Sequence, residues 1–322
     1  MICVFTHPIL FCRNIEGGYL LRLRGWLYIG TTACVFGLGV VLAKLITSVL
    51  NSFLISFLAL FGGGVLVAAY LLVKRQALLP SLSWSAWSNM LLLAIFGTAL
   101  PLLLVIAGFA RTSAIIGGVL LQAQGPAAVL FATLWLHERL TWRQVAGTGL
   151  LLIGSVLVVV QIGQASIWQG GGVGALLVLG GALGYGFGLI PAKRLVGQAD
   201  VLQLSALRLL LGACFVVPLL FFQSSLIQGT LSWSIAWTLV LYIVTSYCVG
   251  YITQQAGLRF VKAWEASAIL QTIPLFTTFF ALVLLHETPT LLQVGGGVLV
   301  IVGGVIVARG GPTPQKPAGE QL

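Results

Sequence analysis

The chain has 322 residues, of which 59% are hydrophobic and 7% charged, with a mean hydropathy of +1.09 and a formal net charge of +10. A soluble domain carries about 25% charged residues, so this composition excludes a water-facing surface and points to a polytopic membrane protein. The basic balance does not signal nucleic acid as a partner, because the Lys and Arg residues fall in short separators between apolar runs.

Residues 1–25 are expected to form an N-terminal cytoplasmic tail. Their apolar patch at Ile2–Cys12 precedes Arg13 rather than following a basic stretch, and no small-residue cleavage site comes after it. Ten apolar runs follow at 26–46, 53–73, 89–108, 113–136, 143–162, 173–193, 203–222, 233–254, 261–285 and 291–308. Each is long enough to cross about 30 Å of hydrocarbon at about 1.5 Å per residue. They are too continuous for the alternating strands of an outer-membrane barrel. Helices are required, since lipid cannot satisfy a free backbone. The last segment, 309–322, is rich in Pro and Gly and is expected to be a disordered cytoplasmic tail.

Charge placement supports this count. When faces alternate at each span, thirteen basic residues fall on the N-terminal face, among them Lys74, Arg75, Arg139, Arg143, Lys193, Arg194 and Arg309, and only Lys44 and Arg111 fall opposite. Positive charge favours the cytoplasm, so both termini are expected there. Trp26, Trp84, Trp87 and Trp142 lie near that interface, and Trp168, Trp233 and Trp237 near the other. The five cysteines have no metal-like spacing, and no cofactor or metal is expected.

Pro126–Thr141 and Pro274–Thr290 are two versions of one segment. His137, Glu138, Thr141, Gln144, Gly147 and Gly154 recur as His286, Glu287, Thr290, Gln293, Gly296 and Gly303, each 149 residues on, and Lys44 recurs as Lys193 at the same offset. Five spans per half is an odd number, so the second half enters the membrane from the opposite face. The expected fold is an all-α integral membrane protein of ten transmembrane helices, built as two inverted five-helix repeats over 26–162 and 173–308.

With the two proline-to-glutamate segments, the ten spans and the repeated Thr, Gln and Gly positions, the chain resembles the EamA-like transporters of the drug/metabolite transporter superfamily over roughly 26 to 308. The resemblance implies a ten-helix basket of inverted repeats around a central cavity, in a bacterial inner membrane or plasma membrane. It also implies a secondary transporter exporting amino acids or related small metabolites by proton-coupled or exchange alternating access. A drug or xenobiotic exporter is the first alternative and a non-transporting membrane scaffold or sensor the second. The chain has no GxxxxGK[ST] loop for ATP-driven pumping and no paired nucleophile and base for catalysis, so it is not expected to be an enzyme. Its partners would be a small polar or amphipathic solute and the bilayer, with protons as one coupling option and a homodimer left open. The second copy departs from the first in reading Glu287-Thr288-Pro289-Thr290 against Glu138-Arg139-Leu140-Thr141, and in a proline-to-glutamate interval longer by one residue.

Several side chains stand out within or beside the spans. Glu265 lies about one turn into the ninth span and Arg208 enters the seventh from the same face. Two readings stay open: a mutual ion pair near the cytoplasmic mouth, or a proton or cationic group at Glu265 and a carboxylate at Arg208. Gln122, Gln124, Gln254, Gln255, Gln271 and Thr272 would be costly unpaired in lipid, so they either join helices or line a wet cavity. Gln122 and Gln271 each precede a proline, Pro126 and Pro274, which frees a carbonyl one turn upstream. Tyr185, Tyr251 and Trp264 are further cavity candidates, as are Phe36 and Tyr247. Glu138 and Glu287 are expected to accept hydrogen bonds from amides in the turn before the next span, with Thr141 and Thr290 capping that span. Lys44, against the general charge bias, is expected to have a specific partner at the outer mouth.

Overall fold

The computed structural model describes residues 9–77, 79–80, 82–136, 141–159, 171–195, 198–223, 225–258, 260–261 and 269–309. Helices that continue through a π turn, a 3-10 turn or a single turn residue are numbered as one. On that basis the first repeat holds α1 (Ile9–Ile46), α2 (Ser52–Val73), α3 (Trp84–Ala94 and Leu100–Phe109), α4 (Ala114–Leu120 and Gln124–Leu136) and α5 (Trp142–Val159). The second holds α6 (Gly171–Phe187 and Leu189–Leu195), α7 (Val201–Leu220), α8 (Trp233–Ile243 and Gly250–Leu258), α9 (Ile273–Leu285) and α10 (Leu291–Arg309). Seven described segments are long and apolar enough to cross a membrane, and Ile273–Leu285 and Leu291–Val307 are shorter apolar helices. One boundary differs from expectation. α1 begins at Ile9, ahead of residue 26, with no proline in that stretch to stop it; residues 310–322 lie outside the described residues.

The helix starts repeat with the same offset as the sequence. Asn51 caps α2 by accepting from Phe53 N at 2.9 Å, and Asp200 caps α7 in a full capping box with Gln203. Ser83 and Ser232 cap α3 and α8 through the amides of Ala86 and Ile235. At α5 and α10 the reciprocal pairs Thr141–Gln144 and Thr290–Gln293 each close a capping box, with bonds of 2.9 to 3.3 Å. Each cap satisfies amides that the helix itself cannot.

Packing repeats too, and its reciprocity defines the symmetry axis. On α5 and α10, a Cβ at Gly147 would stand 2.6 Å from Gly303 O, and one at Gly154 would stand 2.6 Å from Gly296 O. Gly303 is the repeat counterpart of Gly154, and Gly296 that of Gly147, so the pseudo-two-fold axis runs between these antiparallel helices. The α1–α8 contact, where Gly39 meets Ser246, is likewise the counterpart of the α3–α6 contact, where Gly188 meets Gly97. Gly184 against Pro101 and Gly181 against Val105 bring α6 equally close to α3. Small residues buy this proximity where lipid provides no hydrophobic drive between helices. The outward faces carry exposed apolar side chains such as Leu152, Ile153 and Val156 on α5.

Both third helices are interrupted at the same place. A π-helical turn at Ile95–Ala99 breaks α3, and its repeat counterpart at Val244–Val249 breaks α8. Within the first, Thr98 Oγ1 donates to Leu93 O at 2.9 Å, back by five residues. Such turns are rare and concentrate at functional sites.

Candidate functional site: a two-lobed central cavity

The π turns of α3 and α8 face a central cavity with two connected lobes. Phe36, Gln122, Gln124, Tyr185 and Ile273 line both. The larger lobe, about 510 Å³, extends along residues close to the N-terminal face, including Ala192 on α6, Arg208 on α7 and Gln254 on α8. The smaller, about 240 Å³, runs toward the far face past Thr98, Leu102, Val105 and Phe109 on α3 and Tyr242, Ser246 and Tyr247 on α8. Volumes of about 300–1,000 Å³ are usual for small-molecule sites.

The lining is built in repeat pairs. Gln122 and Gln271 are counterparts, both buried, entering from α4 and from the turn before α9. The Gln271 amide packs against Gly304 of α10, and its Oε1 is buried with no hydrogen-bond partner among the described residues. Phe36 and Tyr185 are a second pair and Leu60 and Leu209 a third. Among the described lining residues, Arg208 is the charged side chain, and it is half-buried.

At the far face a separate set of bonds ties helix ends together. The chain turns left-handed at His286, with φ 54°, and Glu287 N donates back to Ala281 O at 3.2 Å, a Schellman-type end to α9. That turn aims the Glu287 carboxylate at α4, where it accepts from Ala114 N at 3.1 Å and Ile115 N at 3.2 Å. Its partners are thus the start of a helix in the other repeat, rather than amides in the turn before its own next span. A carboxylate there also meets the positive end of the α4 dipole. Beside it Lys44 Nζ, at the end of α1, donates to Phe109 O at 2.6 Å and ties down the last turn of α3. The loop after α1 pairs with the loop after α7, through Asn51 N to Leu226 O at 2.9 Å and Gln228 N to Val49 O at 2.7 Å.

The remaining expected residues are placed as follows. Thr272 donates to Ile269 O at 2.6 Å at the start of α9. Pro126 is buried on α4 and Pro274 opens α9. Tyr251 belongs to α8, and its side chain is outside the described residues, as are Glu138, Trp264 and Glu265. Tyr242 and Thr98 line the cavity without having been singled out from sequence. By the repeat offset, Leu93 and Thr98 of the first half correspond to Tyr242 and Tyr247 of the second.

Among the described residues, seven segments able to cross a membrane, further apolar helices, two repeats and a central cavity fit a multi-pass membrane transporter. The comparisons give the family. The model of the EamA-like transporter family matches residues 23–160 and 172–309, and the chain belongs to that family. It is similar to a probable terminal-alkyne amino-acid exporter of Streptantibioticus cattleyicolor, 27% identical over 184 residues, a match covering 56% of this chain and 60% of that protein. It is also similar to an uncharacterized transporter of Archaeoglobus fulgidus, 23% identical over 287 residues, covering 89% of this chain and 99% of the relative. A protein crystal structure superposes with a TM-score of 0.63 at 18% identity, covering 91% of this chain and 96% of that one, and shows a shared fold.

Proposed function

We propose that this chain is an exporter of amino acids or closely related small metabolites, working by alternating access in a bacterial inner or plasma membrane with both termini in the cytoplasm. The observation that carries this reading is the larger lobe, where Arg208, Gln254 and the Gln122–Gln271 pair surround a space leading into an apolar pocket. A guanidinium suits a carboxylate, the amides suit a polar head group, and the pocket suits a side chain. The similarity to the probable amino-acid exporter of Streptantibioticus supports the same solute class. The energy source on this reading is proton coupling or exchange.

A drug-exporting role is the second reading, favoured by the aromatic lining of Phe36, Tyr185, Tyr242 and Tyr247. The two readings part on charge, because a cationic drug gains nothing beside Arg208. Purified protein in liposomes would be loaded with unlabelled leucine, phenylalanine or a lipophilic cation and assayed for counterflow of the labelled compound. Counterflow of the amino acids supports the first reading; counterflow of the cation alone rejects it in favour of the second.

A further inference from the structure

We propose that Gly304 of α10 is a positioning residue for solute binding. By leaving room for the Gln271 carboxamide against its own backbone, it holds a hydrogen-bond donor at the wall of the larger lobe, toward the solute's polar head group. The inference deepens the export reading and rests on it.

Gly304 is buried, and what it meets sets it apart from two other glycines of its helix. A Cβ at Gly303 would meet backbone, Gly147 O at 2.6 Å and Leu151 N at 2.8 Å, and one at Gly295 would meet nothing within 4 Å. A Cβ at Gly304 would overlap Gln271 Cδ and Oε1 and stand 2.8 Å from its Cγ. Gly303 thus serves the crossing of α5 and α10, whereas Gly304 makes room for one side chain. That side chain is buried and lines the larger lobe. Its backbone is pinned by the turn before α9, where Thr272 N and Oγ1 both donate to Ile269 O, at 2.9 and 2.6 Å. Only the side-chain torsions are left to decide where the carboxamide stands.

The carboxamide lies between α10 and α4. Its Oε1 is buried with no hydrogen-bond partner among the described residues, so packing rather than a bond fixes that end. Its Nε2 points the other way, 3.8 Å from where a Cβ on Gly125 would stand, and Gly125 also lines the larger lobe. The donor end therefore faces the lobe that Arg208 and Gln254 share. An amide N–H there suits an acceptor oxygen of the head group. A methyl on Gly304 would take the place of the carboxamide. The obstacle is the end of a rotatable side chain rather than backbone, so α10 would stay and the amide would swing toward α4, into the space the head group needs.

The full-length protein in liposomes would be assayed for counterflow of labelled leucine and phenylalanine over a range of concentrations. Gly304→Ala is expected to raise the half-saturation concentration about three- to tenfold, the size of one hydrogen bond, with the maximal rate changed less. The factor should be the same for both amino acids, since they share the head group. A rise for phenylalanine alone, the mark of lost room for a side chain, overturns the proposal. Gly295→Ala, on the same helix, should change neither quantity. Gln271→Ala should itself raise the half-saturation concentration, and in that background the methyl of Gly304→Ala displaces nothing and should add no further rise. An effect of Gly304→Ala that persists there overturns the proposal, because helix packing would then account for it. Wild-type half-saturation in Gly304→Ala overturns it as well. If Gly304→Ala fails to fold, Gln271→Ala decides alone, and an unchanged half-saturation overturns the role of the carboxamide. Absence of leucine and phenylalanine counterflow in the wild type removes the export reading and this inference with it. Every other adverse outcome overturns the inference and leaves that reading standing.

Discussion

At Glu287 a single carboxylate serves two amides that α4 cannot satisfy within its own first turn, at 3.1 and 3.2 Å. Replacing it with Ala would leave both without a partner, at a cost of about 1–2 kcal/mol. The expected result is a lower thermal midpoint for Glu287→Ala in detergent. Glu287→Gln, which keeps one acceptor oxygen, should lose roughly half as much. An unchanged midpoint for the alanine variant would mean that water replaces the carboxylate without penalty. Lys44 belongs to the same set of bonds, and Lys44→Met would leave Phe109 O without its 2.6 Å donor. Glu287 was recognisable in sequence as a helix-end group, but its partners were not. They sit 172 and 173 residues away, at a distance no local pattern reaches.

Among the elements, α5 and α10 make the most demanding contact. A Cβ on Gly147 would meet Gly303 O at 2.6 Å, whereas Gly149, half a turn on, has nothing within 4 Å. Gly147→Ala is therefore expected to destabilise by about 1–3 kcal/mol through overpacking. Gly149→Ala should be neutral or stabilising by up to about 1 kcal/mol through helix propensity. Thermal unfolding of the two variants side by side checks this, and equal effects would refute the close crossing. The repeated glycines were visible in the sequence as a pattern. That Gly147 meets Gly303 rather than its own counterpart Gly296 was not, because only the packing of the two helices sets their register. The π turns at Ile95–Ala99 and Val244–Val249 left no sequence mark of their own. Their position at matching points of both halves is what ties them to the cavity.

For the whole molecule, the inverted architecture makes a prediction about faces. In a background without the native cysteines, single cysteines at Arg75 and Arg194 should react with an impermeant reagent from one face, and those at Ser48 and Gln228 from the other. All four are accessible or partly so at helix ends and loops. Labelling of Arg75 and Ser48 from the same face would break the topology at α2. The same experiment in whole cells reports which face is cytoplasmic, and Arg75 and Arg194 are expected there.

Composition and the spacing of apolar runs determined by themselves that this chain lives in a membrane as helices, because lipid leaves the backbone no other way to satisfy its polar groups. The 149-residue offset with an odd number of spans determined the inversion, since repeats that enter from opposite faces can meet only about an axis in the membrane plane. Tertiary structure alone decided which polar residues share one space. Gln122 and Gln271 lie far apart in the chain and enter from α4 and from the turn before α9, and only packing brings them to one cavity with Arg208 and Gln254. It also decided how the halves join at the far face, through Glu287 and the paired loops, because those bonds link residues of different halves rather than following from either half alone.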